Sequence, residues 1–245
     1  HGGAINAANL ALIVNGPAQL NSLRFEGGHV DFNSTVQLGT LNLGVFDPQD
    51  PRYTGLASSP TAFVTAQGTM TIGDLSLGSG AGVGGADVII TGHAVVAYNF
   101  SSTSLTVAPG ASLELVDLGV TTDPSIFGSV LNQGTVQIAT GRPLKVIGDY
   151  IQSETSLLQV GIGAHNEFGT IQVSGTATLA GRFTVTAPAD TADIYGGFSL
   201  MTFATHTGAF STINLPPTVP GQTFTVVDAG NTNLSFKVDA EIGIS

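Results

Sequence analysis

The chain has 245 residues, 42% of them hydrophobic and only 9% charged, with 33 glycines, 11 prolines and neither cysteine nor tryptophan. Six basic against 17 acidic residues give a net charge of −11, so nucleic acid and anionic membranes are not expected partners. A mean hydropathy of +0.32 with recurring Val, Ile and Leu excludes a disordered chain, and the lack of cysteine excludes disulfides and thiolate metal sites. No apolar run approaches the roughly 18–20 residues of a membrane-spanning helix, so membrane insertion is not expected.

No basic, apolar-cored leader precedes His1, so a secretion signal is expected to have been removed, or the sequence starts inside a longer protein. From Ala4 to Val14 the chain is expected to cap the first turn of the fold or to pair with a neighbouring molecule. Apolar residues then recur at period two, at Leu41 and Leu43, Leu75 and Leu77, Leu105 and Val107, Leu113 and Leu115, Val136 and Ile138, Leu144 and Val146, and Leu158, Val160 and Ile162. This spacing predicts many short strands. Capped helical patterns are hard to find, so the chain reads as all-β. Residues 46–59 form a polar excursion in which Asp47, Asp50, Arg52 and Tyr53 make a candidate binding loop.

Aligned on their turns, the strands form a degenerate repeat with corner glycines Gly68, Gly92, Gly110, Gly134, Gly148 and Gly175. Their mean interval of about 21 residues falls in the range of solenoid repeats. The expected fold is therefore a parallel β-solenoid over residues 1–187, of about eight or nine coils with one apolar core. A β-sandwich is the alternative, since closely spaced short strands are also its signature. After Ala187 the strands lengthen at Phe198–Ala204, Gln222–Val227 and Leu234–Ala240, separated by the proline-rich Leu215–Pro220. Residues 188–245 are expected to form a C-terminal β cap or edge-pairing segment over the last coil.

The stretch from Leu144 to Pro217 carries Gly148-Asp149-Tyr150-Ile151-Gln152, then Ser156 to Ile162, Ile171 to Gly181 and Gly208-Ala209-Phe210-Ser211. It resembles the β-helical surface proteins of bacteria, the autotransporter-type and filamentous-haemagglutinin-like passengers. The resemblance covers under a third of the chain strongly, and its motifs build repeats and perform no chemistry. It implies a right-handed parallel β-helix, export to the cell surface or outside the cell, and a role in adhesion, a surface coat or a fibre. No outer-membrane barrel pattern follows the C-terminus, and the Arg-Gly-Asp tripeptide is absent.

Chemistry was sought residue by residue. Enzymes on the parallel β-helix that cleave acidic sugars cluster Asp with Arg or Lys, but Arg24, Arg52, Arg142, Arg182, Lys145 and Lys237 sit in no motif with paired Asp. Asp74, Asp87, Glu114 and Asp117 are candidates for paired carboxylates, though stacked carboxylates are ordinarily just solvated. His1 could chelate copper with a second histidine from His29, His93, His165 or His206, as in copper polysaccharide monooxygenases. Those enzymes usually carry Trp and disulfides, and this chain has neither. Calcium is considered at Asp47, Asp50, Asp117 and Asp123, but no nonapeptide calcium repeat or helix-loop-helix calcium motif accompanies them. Three glycosylation sequons begin at Asn33, Asn99 and Asn233, as many as chance supplies. Exposed aromatics that could stack on sugars are sought among Tyr53, Phe63, Tyr98, Phe100 and Tyr150, where core packing is the commoner role.

The expectation is thus an exported non-enzymatic structural protein, without a cofactor, that forms a cell-surface fibre, coat or adhesive stalk. Its expected partner is itself, head to tail through exposed strand edges. A carbohydrate- or host-surface-binding adhesin, taking glycans at the loop of residues 46–59, is the first alternative, and a polysaccharide-active enzyme the second.

Overall fold

The computed structural model describes residues 3–43, 62–78, 81–96, 100–116, 125–163, 167–187, 196–217, 222–228 and 232–240. Among these, all regular structure is strand. The chain opens with β1 (Gly3–Val14), β2 (Ala18–Phe32) and β3 (Val36–Leu43), then β4 (Ala62–Ala66), β5 (Met70–Leu77), β6 (Ala81–Ile90), β7 (His93–Val96), β8 (Phe100–Val107) and β9 (Ser112–Leu115). Shorter strands follow: β10 (Ser125–Ile126), β11 (Ser129–Asn132), β12 (Thr135–Ile138), β13 (Pro143–Val146), β14 (Tyr150–Gln152), β15 (Leu157–Gly161), β16 (Thr170–Val173), β17 (Thr176–Leu179) and β18 (Arg182–Thr186). The last are β19 (Gly196–Thr202), β20 (Thr205–Gly208), β21 (Thr212–Asn214), β22 (Gln222–Asp228) and β23 (Asn233–Ala240).

All of them join one sheet of many strands, which is parallel up to β21. Three ladders carry the pairing. The first runs from the end of β1 through the end of β2, β4, the start of β6, the start of β8, β10, β13 and β16 to β19. The second runs from the start of β2 through β3, β5, the end of β6, the end of β8, β11, β14 and β17 to β20. The third continues from β1 through the middle of β2, the ends of β3 and β5, then β7, β9, β12, β15 and β18 to β21. The chain visits them in a constant order.

Period-two alternation turns one set of side chains inward, and in-register pairing stacks that set into columns. In the first ladder Val30, Val64, Val83, Phe100, Ile126, Val146 and Val173 succeed one another. Leu23, Leu41, Leu75, Ala94, Leu113, Val136, Leu158 and Phe183 do so in the third. All of these are buried in one core, and each large member contributes about 1.5–3 kcal/mol by leaving water. Ile213 continues the last column at β21. It is 41% exposed, because no described strand lies beyond it.

The second ladder departs from this rule. Its column of Leu38, Ile72, Ile90 and Val107 changes to Asn132 and Gln152, both buried. The Asn132 amide donates to Tyr150 Oη at 3.2 Å and to the Leu157 carbonyl at 3.0 Å, while its Oδ1 accepts the Gly134 N–H at 3.1 Å. Tyr150 donates to Gln152 Oε1 at 2.8 Å, and Gln152 Nε2 donates to the Arg182 carbonyl at 2.8 Å. These amides hold the corners between ladders, and the shared bonds offset their desolvation.

All six corner glycines lie between strands, as the repeat predicts. Only Gly110 among them needs its backbone freedom, with φ +80° and open space where a Cβ would stand. The others are required by close approach. A Cβ on Gly148 would come within 2.7 Å of the Gly128 carbonyl carbon, and one on Gly175 within 2.8 Å of the Gly148 oxygen. Successive corners therefore rest backbone on backbone.

The ends differ from each other. β1 pairs only with β2 among the described residues. Parallel pairing continues past the expected border at residue 187, through β19, β20 and β21. β23 then adds antiparallel to β19, and β22 antiparallel to β23. This hairpin extends the first ladder alone and leaves β20 and β21 as edges with mostly exposed side chains. The reason is local: Pro216 and Pro217 follow β21 directly after Leu215 and lack the N–H that a continuing strand ladder needs.

Gly148→Ala should lower stability by about 1–3 kcal/mol, whereas Gly110→Asn should change it by less than about 0.5 kcal/mol. Urea unfolding of the two variants checks both. Burial pushes the Tyr150 hydroxyl far above its ordinary value of 10.0, against a smaller opposing effect of the Asn132 contact. A raised folded-state value means that this stabilisation is intact below pH 10 and is lost as the pH rises further. In an alkaline titration followed by tyrosinate absorbance, Tyr150 should therefore ionise only together with unfolding.

Candidate functional site

Of the residues singled out from sequence, Asp47, Asp50, Arg52 and Tyr53 lie outside the described residues, as do Asp117, Asp123, His1, His165 and Tyr98. The remaining histidines are dispersed over the three ladders. His29 is in the first, His93 in the third, and His206 in the second, against Phe203 at 4.8 Å between ring centroids. Phe100 and Tyr150 are in the core, and Phe63 is 39% exposed beside His29, with ring centroids 6.3 Å apart. Among the described residues no three His, Asp or Glu side chains converge to hold a metal ion.

Of the carboxylates considered for catalysis, Asp74 and Asp87 bind the backbone or a hydroxyl of the next strand, and Asp149, which was not among them, does likewise. Asp74 Oδ1 accepts the His93 backbone N–H at 3.0 Å, and Asp149 Oδ1 accepts that of Thr176 at 2.7 Å. Both belong to a Gly-Asp pair stacked under a second glycine. Gly73-Asp74 lies under Gly92, and Gly148-Asp149 under Gly175, with Gly92 and Gly175 each donating N–H to the glycine below at 2.9 Å. A Cβ on Gly92 or Gly175 would run into the aspartate Oδ1. Asp87 accepts the Ser104 hydroxyl at 2.7 Å. These acids act as corner caps, satisfying donors that the ladder leaves over.

Two polar clusters remain on outward faces. In the third ladder, His93 Nδ1 lies 2.6 Å from Ser112 Oγ, and its Nε2 lies 3.6 Å from Glu114 Oε2. Serine, histidine and a carboxylate are thus in the order of a nucleophilic triad. The setting withholds the rest of that chemistry. The backbone amides of β7 and β9 pair with strands on both sides, so among the described residues these strands leave no free pair of N–H groups facing Ser112 to bind an oxyanion. His93 and Glu114 are 52% and 40% exposed, so water is not excluded. In the first ladder, His29 Nε2 contacts Asp31 Oδ1 at 2.7 Å, and the Thr65 hydroxyl donates to the same oxygen.

Sequence reasoning missed both clusters. The signal was available in the repeat, because His93 and Ser112 are separated by one repeat interval and such residues become neighbours on adjacent strands.

Elsewhere the described surface mixes uncharged polar rows with exposed apolar side chains such as Ile13, Phe127, Ile147 and Ile151. Along the third ladder the outward row reads Asn42, Ser76, Val95, Glu114, Gln137, Gln159, Thr184 and Asn214. Stacked hydroxyls and amides bond to their neighbours, as Asn214 Nδ2 does to Thr184 Oγ1 at 3.3 Å and Thr176 to Thr205 at 3.1 Å. Neither known protein-family models nor curated proteins match this chain.

The Thr65 hydroxyl, followed by His29, holds the Asp31 carboxyl below its ordinary value of 3.8. A lowered folded-state value means the contact stabilises the fold above that pH and stops doing so as the pH falls through the lowered value. Thr65→Val should raise the Asp31 titration midpoint toward 3.8, read from the carboxyl carbon shift by NMR.

Proposed function

We propose that the three parallel ladders are the faces of a right-handed parallel β-helix, and that the protein is an exported, non-enzymatic structural component of a cell surface: a fibre, coat or adhesive stalk. The arrangement that carries this reading is the pairing itself. Each segment lies parallel to its counterpart one repeat later, in constant order around one apolar core. Parallel crossovers of this kind are right-handed in nearly all cases. The sequence resemblance to bacterial β-helical surface passengers points the same way.

Three further observations support a structural role. The outward row of the third ladder is mostly Ser, Thr, Asn and Gln with one charge, Glu114, which suits stacked strands because like charges one above another repel. The polar clusters lack the surroundings that would make them catalytic. Among the described residues edge strands are open at both ends, β1 at one and β20 and β21 at the other. β1 contains no Lys, Arg or Pro to discourage pairing. Self-association of copies through these edges follows as the mode of assembly.

Electron microscopy and light scattering of the purified chain over a concentration series test this reading. Rods that join into filaments of constant width are expected, and Ile13→Lys in β1, at a side chain that is 64% exposed, should suppress the joining without changing the far-UV spectrum. Compact round particles at every concentration would overturn both the rod and its assembly.

A further inference from the structure

We propose that the outer face of the second ladder, near the N-terminal end, is a binding site for a neutral glycan. A groove of about 460 Å³ lies there, lined by Pro17, Ala18, Gln19, Thr35, Val36, Gln37, Thr69 and Thr71. It crosses three successive strand segments. Gln19, Gln37 and Thr71 are direct register partners, as are Ala18, Val36 and Met70. One wall is therefore the row Gln19, Gln37 and Thr71, and the other is Pro17, Thr35 and Thr69. The floor is the strand backbone of Ala18 and Val36, whose side chains face the core.

The chemistry of the lining selects the ligand. No group in it carries a charge, in a protein whose net charge is −11. Anionic ligands therefore meet no cation and a repulsive field, and cations meet no carboxylate. Each glutamine amide offers two donors and an acceptor, and each threonine hydroxyl both donates and accepts. A sugar hydroxyl has the same dual character. The proline ring and the threonine methyls supply apolar patches for the C–H faces of a sugar ring. The volume is within the roughly 300–1,000 Å³ of small-molecule sites.

Beside the groove runs an amide strip in which Asn33 Nδ2 donates to Asn15 Oδ1 at 2.8 Å and Gln67 Nε2 donates to Asn33 Oδ1 at 3.2 Å. The Thr35 and Thr69 carbonyls accept backbone bonds from Ala18 and Val36 at 3.1 and 3.0 Å. The wall they carry is thereby fixed to the ladder. The groove runs across strands spaced about 4.8 Å apart, so it repeats its polar groups along its length and suits an extended oligosaccharide better than a single ring. The site is independent of the assembly proposed above: a monomeric rod would retain it.

Calorimetric titration of the intact chain with cellohexaose, laminarihexaose, mannohexaose and hexagalacturonate is the test. At least one neutral hexasaccharide should bind, with hexagalacturonate at least about tenfold weaker. Gln37→Ala combined with Thr71→Val should weaken binding by about tenfold or more, and Asn214→Ala on the third ladder should leave it unchanged. Thermal midpoints of the variants establish that the exposed substitutions leave the fold intact. No binding of any neutral hexasaccharide at about 5 mM, equal binding of the acidic one, or binding that survives the double substitution would each overturn the proposal.

Discussion

Everything in this molecule answers to the spacing of paired strands, about 4.8 Å. In a parallel in-register ladder, whatever occupies a position in one segment lies directly against the residue at that position in the next. Apolar residues gain from this arrangement and charges lose, so the inward columns are Val, Leu, Ile and Phe and the outward rows are mostly uncharged. Corners feel the constraint hardest. Gly128, Gly148 and Gly175 succeed one another because the backbone of each lies within contact distance of the last. The Gly-Asp pairs use the same closeness, since an aspartate can cap the backbone N–H of the next segment only if a glycine leaves room for it.

Much of this was legible in the sequence. Leu113 and Leu115, Val136 and Ile138, and Leu158 and Val160 alternate as strands must, and their recurrence placed them in register. The corner glycines were legible too, as punctuation of the repeat, but not the reason for them: of the six only Gly110 has a positive φ. A glycine required by its neighbour in space looks the same in one dimension as a glycine required by its own φ. Asn132 and Gln152 gave no sign in the sequence of a buried role. Their burial depends on Tyr150 and on backbone carbonyls a repeat away, and periodicity carries no information about such partners.

The candidate site was less legible than the fold, for a related reason. The loop of residues 46–59 drew notice because its prolines and charges interrupt the pattern, and it lies outside the described residues. The His93, Ser112 and Glu114 cluster and the groove at Gln37 consist of residues that fit the pattern. They acquire meaning only when register sets them side by side. In a repeat architecture the residues that could bind something need not be unusual ones, and a search for exceptions passes over them.

The hairpin of β22 and β23 gives the proposed rod an uneven top. It raises the first ladder by two strands, roughly 10 Å at the usual spacing, while the second and third stop at β20 and β21. A copy seated on that end touches the tall side first, and its own β1 comes to rest against β22 before the other two faces can close. Copies joined in this way are held along a single ladder, with a gap beside it. In the filament proposed above, such joints would bend while the rods between them stayed stiff, so its persistence length would report the step at each joint and not the rigidity of the ladders.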